Sequence, residues 1–299
     1  MSDQQSGRCG FCAIVGRPNV GKSTLLNRLI GQKLAITSHK PQTTRHSILG
    51  VKTTESAQIV YVDTPGIHKR GDHAMNRYLN RTARSALSDV DLILFVVEAL
   101  RWTDEDQAVL DALSRLDMPV LLVVNKIDTV KNKEALLPYL ENLAGKFDFT
   151  AVIPLSARKG NNLEPLEKQV IACLPEGEHI FPDDQLTDRS ERFFAAELVR
   201  EQLTRRYAKE IPYALTVEIE KFEEEGNLYR IDALIWVERQ GQKNIIIGAK
   251  GEALKEVGTQ ARKEMEKFFD KKVFLQLWVK VKKSWSSDEG ALSRLGYSD

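Results

Sequence analysis

Residues 16–23 form a glycine-rich run whose residue types are those of a phosphate-binding loop. The run reads Gly-Arg-Pro-Asn-Val-Gly-Lys-Ser, which matches the pattern G-x-x-x-x-G-K-[ST]. In such a loop the glycines let backbone N–H groups surround phosphates at the start of a helix. Lys22 is then expected to bring its charge to the β- and γ-phosphates, and Ser23 to bind Mg²⁺ through its hydroxyl. The predicted nucleotide-binding residues of this run are Gly16, Arg17, Pro18, Asn19, Val20, Gly21, Lys22, Ser23 and Thr24.

A second polar run, Asp63-Thr64-Pro65-Gly66, follows an apolar stretch at residues 59–62. An aspartate at the carboxyl end of a buried strand is the expected carboxylate on the Mg²⁺ side of the nucleotide, acting directly or through water. The N–H of Gly66 is expected to reach the γ-phosphate and so to sense hydrolysis.

Two other positions bear on hydrolysis. A threonine between the first helix and the second strand should meet Mg²⁺ and the γ-phosphate; we choose Thr44, with Thr43 as the alternative. Ile67 stands where a glutamine would orient the attacking water, and isoleucine cannot polarise water. His68 is close by, but a single loop histidine is expected to be solvated. We therefore predict slow intrinsic hydrolysis, with water positioned by backbone, by another loop or by a partner.

A third polar run, Asn125-Lys126-Ile127-Asp128, predicts which base is bound. The carboxylate of Asp128 can accept hydrogen bonds from N1–H and the 2-amino group of guanine, which adenine cannot offer, and such sites discriminate strongly. Lys126 is expected to lie against the base and Asn125 to tie loops together. The dipeptide Ser156-Ala157, after an apolar run, is the expected last loop of a guanine site. The nucleotide is therefore predicted to be GTP or GDP.

The elements that must position these motifs alternate between strand and helix. Residues 11–15 predict a buried strand that ends at the phosphate loop, and residues 23–30 predict the helix that follows it. Further strands are predicted at 47–52, 58–62, 92–97, 120–124 and 151–154, and further helices near 104–116, 133–143 and 163–174. This alternation predicts an α/β fold with a mostly parallel sheet covered by helices on both faces.

Residues 175–189 break the alternation and predict an interdomain linker, since they hold two prolines, several acidic residues and little periodicity. The patterns after it predict a helix at 192–209 and two strands at 213–222 and 229–238. A very short helix near 245–247, a second helix that ends at about residue 269 and a strand at 273–281 follow. Between the two adjacent helices, Gly248-Ala249-Lys250-Gly251 is a GxxG loop. In a KH domain such a loop clamps the backbone of about four nucleotides.

Local charge supports RNA binding by this second domain. Residues 239–283 hold 12 Lys and Arg against 5 Asp and Glu, a net charge of +7. A solvated helix face and an edge strand guarded by lysines are the alternative explanation. Trp278 is expected in the core, and Trp285 either in the core or as a stacking platform. The predicted RNA-binding residues are Ile247, Gly248, Ala249, Lys250, Gly251, Lys280, Lys282 and Lys283.

Composition excludes several classes of protein. Of the 299 residues, 42% are hydrophobic and 28% charged, and the net charge of +1 gives no overall basic excess. We see no signal peptide and no run of about 18 apolar residues. Three cysteines are too few for a disulfide framework, and Cys9 and Cys12 are expected to pack in the core rather than to bind zinc or to act in redox chemistry. These features predict a cytoplasmic protein.

The motifs taken together resemble a known group of proteins. Runs at 16–23, 42–46, 63–68 and 125–128 resemble the TrmE–Era branch of translation-factor-type GTPases. The C-terminal runs at 212–220, 246–251 and 277–282 narrow the resemblance to the Era family of bacterial ribosome-assembly GTPases. The resemblance spans about residues 8–297. The GTPase motifs are shared by many relatives, whereas their combination with this C-terminal part is specific.

The resemblance implies a P-loop NTPase fold, namely a Ras-like G domain with a mostly parallel six-stranded sheet, followed by an α+β type II KH domain. The expected bounds are 1–178 for the G domain, 179–190 for the linker and 191–299 for the KH domain with a C-terminal tail.

The function that the resemblance implies is a GTP-hydrolysing switch that binds the 3′ end of 16S rRNA and assists assembly of the 30S subunit. Its catalytic residues would be Lys22, Thr44, Gly66 and Asn19, with Asn19 holding a K⁺ ion in addition to the Mg²⁺ site of Ser23, Thr44 and Asp63. A monomer is expected, with peripheral association to the inner face of the cell membrane as a further expectation. The alternative is a signalling or cell-cycle GTPase at the membrane whose second domain binds protein.

Overall fold

The structure is a computed structural model, and it describes residues 7–38, 40, 42–66, 74–87, 89–207 and 211–297. Contacts divide the chain into two compact units. The first unit comprises Met1–Ala35, Thr44–Gly71 and Leu79–Asp188, and the second comprises Ile36–Thr43, Asp72–Tyr78 and Arg189–Asp299. The expected domain bounds stay a prediction.

The N-terminal half alternates between strands and helices as predicted. In chain order the elements are β1 (Arg8–Val15), α1 (Lys22–Ile30), β2 (Ile48–Thr53), β3 (Ala57–Asp63), α2 (Ala74–Ser85), β4 (Leu92–Glu98), α3 (Asp104–Leu113), β5 (Val120–Asn125), α4 (Leu136–Ala144), β6 (Ala151–Pro154) and α5 (Leu163–Cys173). Six strands form one sheet in the order β2-β3-β1-β4-β5-β6. Only the pairing of β2 with β3 is antiparallel, which confirms the mostly parallel sheet.

Apolar residues explain the position of this sheet. Strands β3, β4 and β5 are buried along almost their whole length, as expected for strands with helices on both faces. Cys9 and Cys12 are buried in β1. Because β1, β3, β4, β5 and β6 are parallel, their carboxyl ends share one edge of the sheet, and the loops carrying the predicted motifs start at that edge.

Helix α2 was not predicted from the sequence. Its residues are mostly polar, and the buried positions Met75, Tyr78, Leu79 and Ala83 form a narrow stripe at helical spacing. The apolar residues of α2 lie on one face, which is a clear helical signal, but the low overall hydrophobicity of the segment hides it.

The C-terminal half has the predicted order of a type II KH domain, with one helix added at the end. Its elements are α6 (Glu191–Arg206), β7 (Leu215–Glu225), β8 (Leu228–Val237), α7 (Gln240–Ile247), α8 (Glu252–Phe269), β9 (Lys272–Val281) and α9 (Glu289–Arg294). The strands form a three-stranded sheet in the order β7-β8-β9, in which β9 runs parallel to β8. Helices α6, α7 and α8 pack against this sheet, and the core contains residues such as Leu198, Ile231, Ile235, Val257 and Val279.

Helix α7 is longer than expected because a side chain stabilises its start. The Gln242 Oε1 atom accepts hydrogen bonds from the backbone N–H groups of Glu238 (3.0 Å) and Arg239 (2.9 Å). These donors would otherwise lack partners at the start of the helix.

The two tryptophans of the C-terminal half differ from each other. Trp285 is fully buried, so it belongs to the core. The prediction that Trp278 packs in the core is wrong, because 41% of its surface is exposed. Trp278 lies on the face of the β7-β8-β9 sheet that the helices do not cover, since residues alternate between the two faces along β9.

In the part of the chain that the structure describes, no helix combines the length and the apolar character that a membrane crossing requires.

Candidate nucleotide and RNA sites

The phosphate-binding run connects β1 to α1 in a conformation that requires glycine. Gly21 has φ of 104° and lies directly before α1. A Cβ atom at this position would lie 2.3 Å from the Asn125 Nδ2 atom, so any other residue would be both strained and in collision. Asn19 also has a positive φ, 65°, and asparagine tolerates this region better than most residues. The conformations of Gly21 and Asn19 and the close approach of Asn125 therefore define the compact shape of the loop.

Lys22 begins α1 and is buried beneath the loop. Its Nζ atom donates to the backbone oxygens of Gly16 (2.9 Å) and Arg17 (3.1 Å). Burial lowers the pKa of Lys22 to about 8, although the charge of Asp63 opposes this shift. The ammonium group is thus held by the loop itself, next to the position expected for the phosphates.

Three oxygen atoms converge beside the first turn of α1. The Ser23 Oγ atom donates to the Asp63 Oδ2 atom (2.8 Å) and lies 2.7 Å from the Thr44 Oγ1 atom. Thr43 turns elsewhere: its hydroxyl lies 2.6 Å from the Ser38 Oγ atom. The structure therefore brings Thr44, and not Thr43, to the predicted Mg²⁺ ligands.

The chemistry of these oxygens fits Mg²⁺. Hydroxyl and carboxylate oxygens are the hard ligands that this ion prefers. The second oxygen of Asp63, Oδ1, is buried and has no hydrogen-bond partner among the described residues. Burial raises the pKa of Asp63 to about 6, against the opposing effects of Lys22, Ser23 and Thr44. An under-paired buried carboxylate is a favourable ligand for a cation, because the cation offsets its desolvation.

Asn125 ties three loops together. Its Nδ2 atom donates to the backbone oxygen of Val20 (2.8 Å), which lies in the phosphate loop. Its Oδ1 atom accepts from the N–H groups of Lys126 (2.7 Å) and Ala157 (3.0 Å). One buried amide therefore fixes the phosphate loop relative to both predicted guanine loops.

Asp128 is held in place by the last of these loops. The Ser156 Oγ atom donates to the Asp128 Oδ1 atom at 2.6 Å, and Asp128 is exposed at its position after β5. A carboxylate oriented by a neighbouring hydroxyl can present its other oxygen to a base without having to be ordered at binding. The pairing gives Ser156 a definite task that the dipeptide alone did not reveal.

Sequence reasoning missed an ionic network behind the phosphate loop. The guanidinium group of Arg17 pairs with Glu98 (2.9 Å) and Asp106 (3.0 Å), and the Lys126 Nζ atom lies 3.2 Å from the same Glu98 carboxylate. Although burial opposes it, hydrogen bonds from Arg17 and Lys126 hold the pKa of Glu98 below its ordinary value. The available signal was a glutamate that ends the apolar strand β4, at the same sheet edge as Asp63 and Asn125.

The other residues predicted after β3 take different positions. The Thr64 hydroxyl donates to the Ile14 backbone oxygen (2.9 Å), so this side chain joins β3 to β1. Pro65 follows it, and Gly66 lies against the phosphate loop, where a Cβ atom would be 2.9 Å from the Pro18 Cγ atom. Ile67 and His68 lie outside the described residues, so the predictions for them stay predictions.

The GxxG loop joins α7 to α8, and its backbone is accessible to solvent. Gly248 has φ of 72°, and a Cβ atom there would lie 2.6 Å from that of Ala253. Ala249 and Lys250 are exposed, and Gly251 caps α8 in the left-handed region. Ile247, just before the loop, packs against the core. Backbone groups and one lysine are thus accessible at the start of a helix, as phosphate binding requires.

The three lysines predicted to bind RNA lie at the end of β9 or just after it. Lys280 and Lys282 are on the sheet face that the helices leave uncovered, with their ammonium groups 5.9 Å and 5.5 Å from the centre of the Trp236 ring. Lys283 is exposed just after the strand.

Family models match both halves of the chain. Residues 11–126 match a family described as 50S ribosome-binding GTPase, and residues 210–286 match the KH domain. The first match contains the phosphate loop and the first two residues of the guanine run, and the second contains the GxxG loop and all of β9.

Full-length relatives share more than half of the sequence. A protein named GTPase Era from Azotobacter vinelandii (strain DJ) is 58% identical over 299 residues, covering 100% of each chain. GTPase Era from Pseudomonas syringae pv. syringae (strain B728a) is 57% identical over 299 residues, also covering 100% of each. GTPase Era from Pseudomonas aeruginosa (strain LESB58) is 60% identical over 292 residues, covering 98% of this chain and 96% of the relative.

Two solved structures are similar along nearly the whole chain. An Era variant from Aquifex aeolicus bound to GDP and AlF4⁻ has a TM-score of 0.94, with 39% identity over 98% of this chain and 100% of the other. A crystal structure of Era in complex with MgGDPNP and nucleotides 1506–1542 of 16S ribosomal RNA has a TM-score of 0.95, with the same identity and coverage.

Proposed function

This chain belongs to the Era family of GTPases, and we propose that it is a GTP-hydrolysing switch that binds the 3′ end of 16S rRNA and assists assembly of the 30S subunit. One observation carries the nucleotide part of this proposal. The phosphate loop, the Ser23–Thr44–Asp63 oxygens and the loop of Asp128 meet at one edge of one sheet, tied together by Asn125.

The reaction is hydrolysis of GTP to GDP and phosphate. Lys22 holds the β- and γ-phosphates as a point charge, and the N–H groups of the loop surround them. The oxygens of Ser23, Thr44 and Asp63 would hold Mg²⁺, which when bound would neutralise charge that develops on the phosphates. Asp128, oriented by Ser156, selects guanine. Gly66 offers its N–H to the γ-phosphate.

We propose that no side-chain base activates the attacking water. As Ile67 replaces glutamine, slow turnover is expected, and Asn19 is proposed to hold a K⁺ ion that supplies positive charge near the phosphates. Asn19 is exposed in the phosphate loop, as such a ligand must be. GTP turnover measured in K⁺ and in Na⁺, for the unchanged protein and for Asn19→Ala, tests this role. Equal turnover in all four measurements would contradict it.

The match of residues 210–286 to a KH domain supports RNA, and not protein, as the partner of the second domain. The GxxG loop clamps the RNA backbone, with Lys250 supplying charge. We propose the division 1–178, 179–190 and 191–299 for the G domain, linker and KH domain, a monomeric state, a cytoplasmic location and peripheral association with the membrane.

The affinity for an oligonucleotide from the 3′ end of 16S rRNA tests the RNA function. We expect binding that weakens steeply with salt and is lost in Gly248→Asp and Lys250→Asp, because a carboxylate then faces the phosphates. Lys168→Asp, on the exposed face of α5, is the matched control and should bind normally.

The same measurement with GDP and with a non-hydrolysable GTP analogue tests the switch. A difference in RNA affinity supports it, whereas equal affinities would contradict the switch and leave both binding functions in place.

A further inference from the structure

The uncovered face of the β7-β8-β9 sheet carries exposed aromatic side chains. Alternate residues of β9 point away from the helices, and among them Phe274 and Trp278 are 44% and 41% exposed. Both lie on β9, an edge strand of this sheet, four residues apart and so separated by about 13 Å. Large aromatic side chains exposed together on one face commonly mark a binding surface. We call this face, defined by Arg230, Trp236, Phe274, Trp278, Lys280 and Lys282, the open face.

Cations lie against the aromatic rings of the open face. The Arg230 guanidinium carbon is 5.4 Å from the centre of the Phe274 ring. Lys280 and Lys282 lie over the Trp236 ring, and the indole N–H of Trp236 donates to Glu218 (2.7 Å), which fixes that ring. The Trp236 ring is therefore held in place by Glu218. Arg230 also pairs with Glu225 of β7 (2.7 Å), so an RNA phosphate would have to compete with this carboxylate for the guanidinium group.

Charge is distributed unevenly across the sheet. Residues 271–283, which contain β9, include five lysines and no aspartate or glutamate. Most acidic residues near this face are on β7, where Glu220 pairs with Lys280 at 3.3 Å and Glu225 pairs with Arg230 at 2.7 Å. Asp232 is on the central strand β8, in register with Lys221 of β7 and Gln276 of β9. A polyanion would accordingly follow β9 and avoid β7.

Aromatic rings interleaved with cations along an edge strand fit single-stranded RNA. Bases stack on the rings whatever their sequence, while lysines and arginine contact phosphates. An open sheet face with aromatic residues on neighbouring positions is also how RRM domains bind single strands.

We propose that the open face is a second surface for single-stranded RNA, on the opposite side of the sheet from the helices α7 and α8 that carry the GxxG loop. Phe274 and Trp278 stack bases, and Arg230, Lys280 and Lys282 contact phosphates. This inference rests on the RNA-binding function proposed above. It predicts that the KH domain binds a longer stretch of RNA than the GxxG loop alone requires.

RNA length separates the two surfaces in an experiment. Two single-stranded RNAs from the 3′ end of 16S rRNA are compared, one of about five nucleotides that fills the GxxG loop and one of about twenty. Trp278→Leu and Phe274→Leu should each weaken binding of the longer RNA by about fivefold or more, and leave the shorter RNA unaffected. Trp278→Phe keeps a ring and should restore most of the affinity. Leu137→Ser, at an exposed apolar position on α4, is the matched control.

The outcomes distinguish this inference from the function on which it rests. In one outcome Gly248→Asp weakens binding of both RNAs, while Trp278→Leu and Phe274→Leu bind the longer RNA normally. This result would contradict RNA binding by the open face and would support RNA binding by the GxxG loop. If no variant altered either affinity, the RNA function itself would fail.

Two other outcomes would also overturn the open face as an RNA surface. One is equal weakening of both RNAs by Trp278→Leu at an unchanged melting temperature, since the ring would then not serve the longer RNA in particular. The other is normal RNA affinity with weaker cosedimentation with ribosomal subunits, which would indicate a protein partner.

Discussion

The nucleotide site and the RNA surfaces recognise their ligands by different physical means. At the nucleotide site buried side chains hold one another: Asn125 binds three loops, and Glu98 links Arg17 to Lys126. At the GxxG loop the backbone turns at Gly248 and Gly251, and Ala249 and Lys250 are exposed to solvent. A small ligand with a fixed shape binds best to a preorganised cavity. A flexible polyanion binds best to an accessible surface with distributed positive charge.

This difference predicts that single substitutions have large effects on ligand affinity at the nucleotide site and small effects at the GxxG loop.

The largest effect is expected at Asp128. Asp128→Ala removes the acceptor for guanine and should weaken GTP binding by about 2–5 kcal/mol, roughly 30- to 5,000-fold. Titration with a fluorescent GTP analogue measures it, with Asp117→Ala, an exposed aspartate elsewhere in the G domain, as the control. Equal affinity of the unchanged protein for ATP and GTP would contradict the assignment.

A pH effect of about tenfold per unit is expected next, at Asp63. Burial raises the pKa of Asp63 to about 6, so a proton competes with Mg²⁺ for this carboxylate. Mg²⁺-dependent GDP binding should weaken by up to about tenfold for each pH unit below 6. The Asp63→Asn variant should bind weakly at every pH, without this slope. A wild-type affinity that is constant between about pH 5 and pH 7 would exclude Asp63 as the titrating ligand.

The raised pKa of Asp63 favours Mg²⁺ binding at high pH, but it favours the folded state of the nucleotide-free protein at low pH. The pKa of Asp63 is higher in the folded state than in the unfolded state, so its contribution to stability is present at low pH and is lost as the pH rises through about 6. Burial lowers the pKa of Lys22 to about 8, so its contribution is present at high pH and is lost as the pH falls through about 8.

A moderate effect is expected from the ionic network. Glu98→Gln keeps the shape of the side chain but removes the charge that orients Arg17 and Lys126, so GDP should dissociate about three- to tenfold faster. Glu141→Gln, on the exposed face of α4, is the control. Stopped-flow displacement measures the dissociation rate. A drop in melting temperature without faster dissociation would make the network structural only.

The smallest effect is expected at the GxxG loop. Lys250→Ala removes one phosphate contact, so the slope of log affinity against log salt concentration should decrease by about 0.7 and the affinity by only a few-fold. Lys168→Ala on α5 serves as the control. An unchanged slope would place Lys250 away from the RNA, and a loss as large as that at Asp128 would remove the contrast between the two regions.

Much of the fold and of the nucleotide site was predictable because it depends on local patterns. A strand, a glycine-rich turn and a helix define the phosphate loop wherever they occur in this order, and Asp63 and Asn125 end apolar strands of the same parallel sheet. The sequence could not choose firmly between Thr43 and Thr44, since adjacent hydroxyls in a loop give the same pattern. In the structure Thr44 contacts Ser23 and Thr43 contacts Ser38, which supports Thr44, and its role at Mg²⁺ stays a prediction.

Residue types at short spacing were enough to predict the ligand class, the order of the elements and the charge of β9. The packing of distant segments was needed to show that Glu98 joins two loops and that Trp278 is exposed. Strand β9 has apolar residues on both faces, so its pattern does not reveal which face the helices cover. Burial depends on the packing of segments that are far apart in the chain, and a local sequence pattern does not determine that packing.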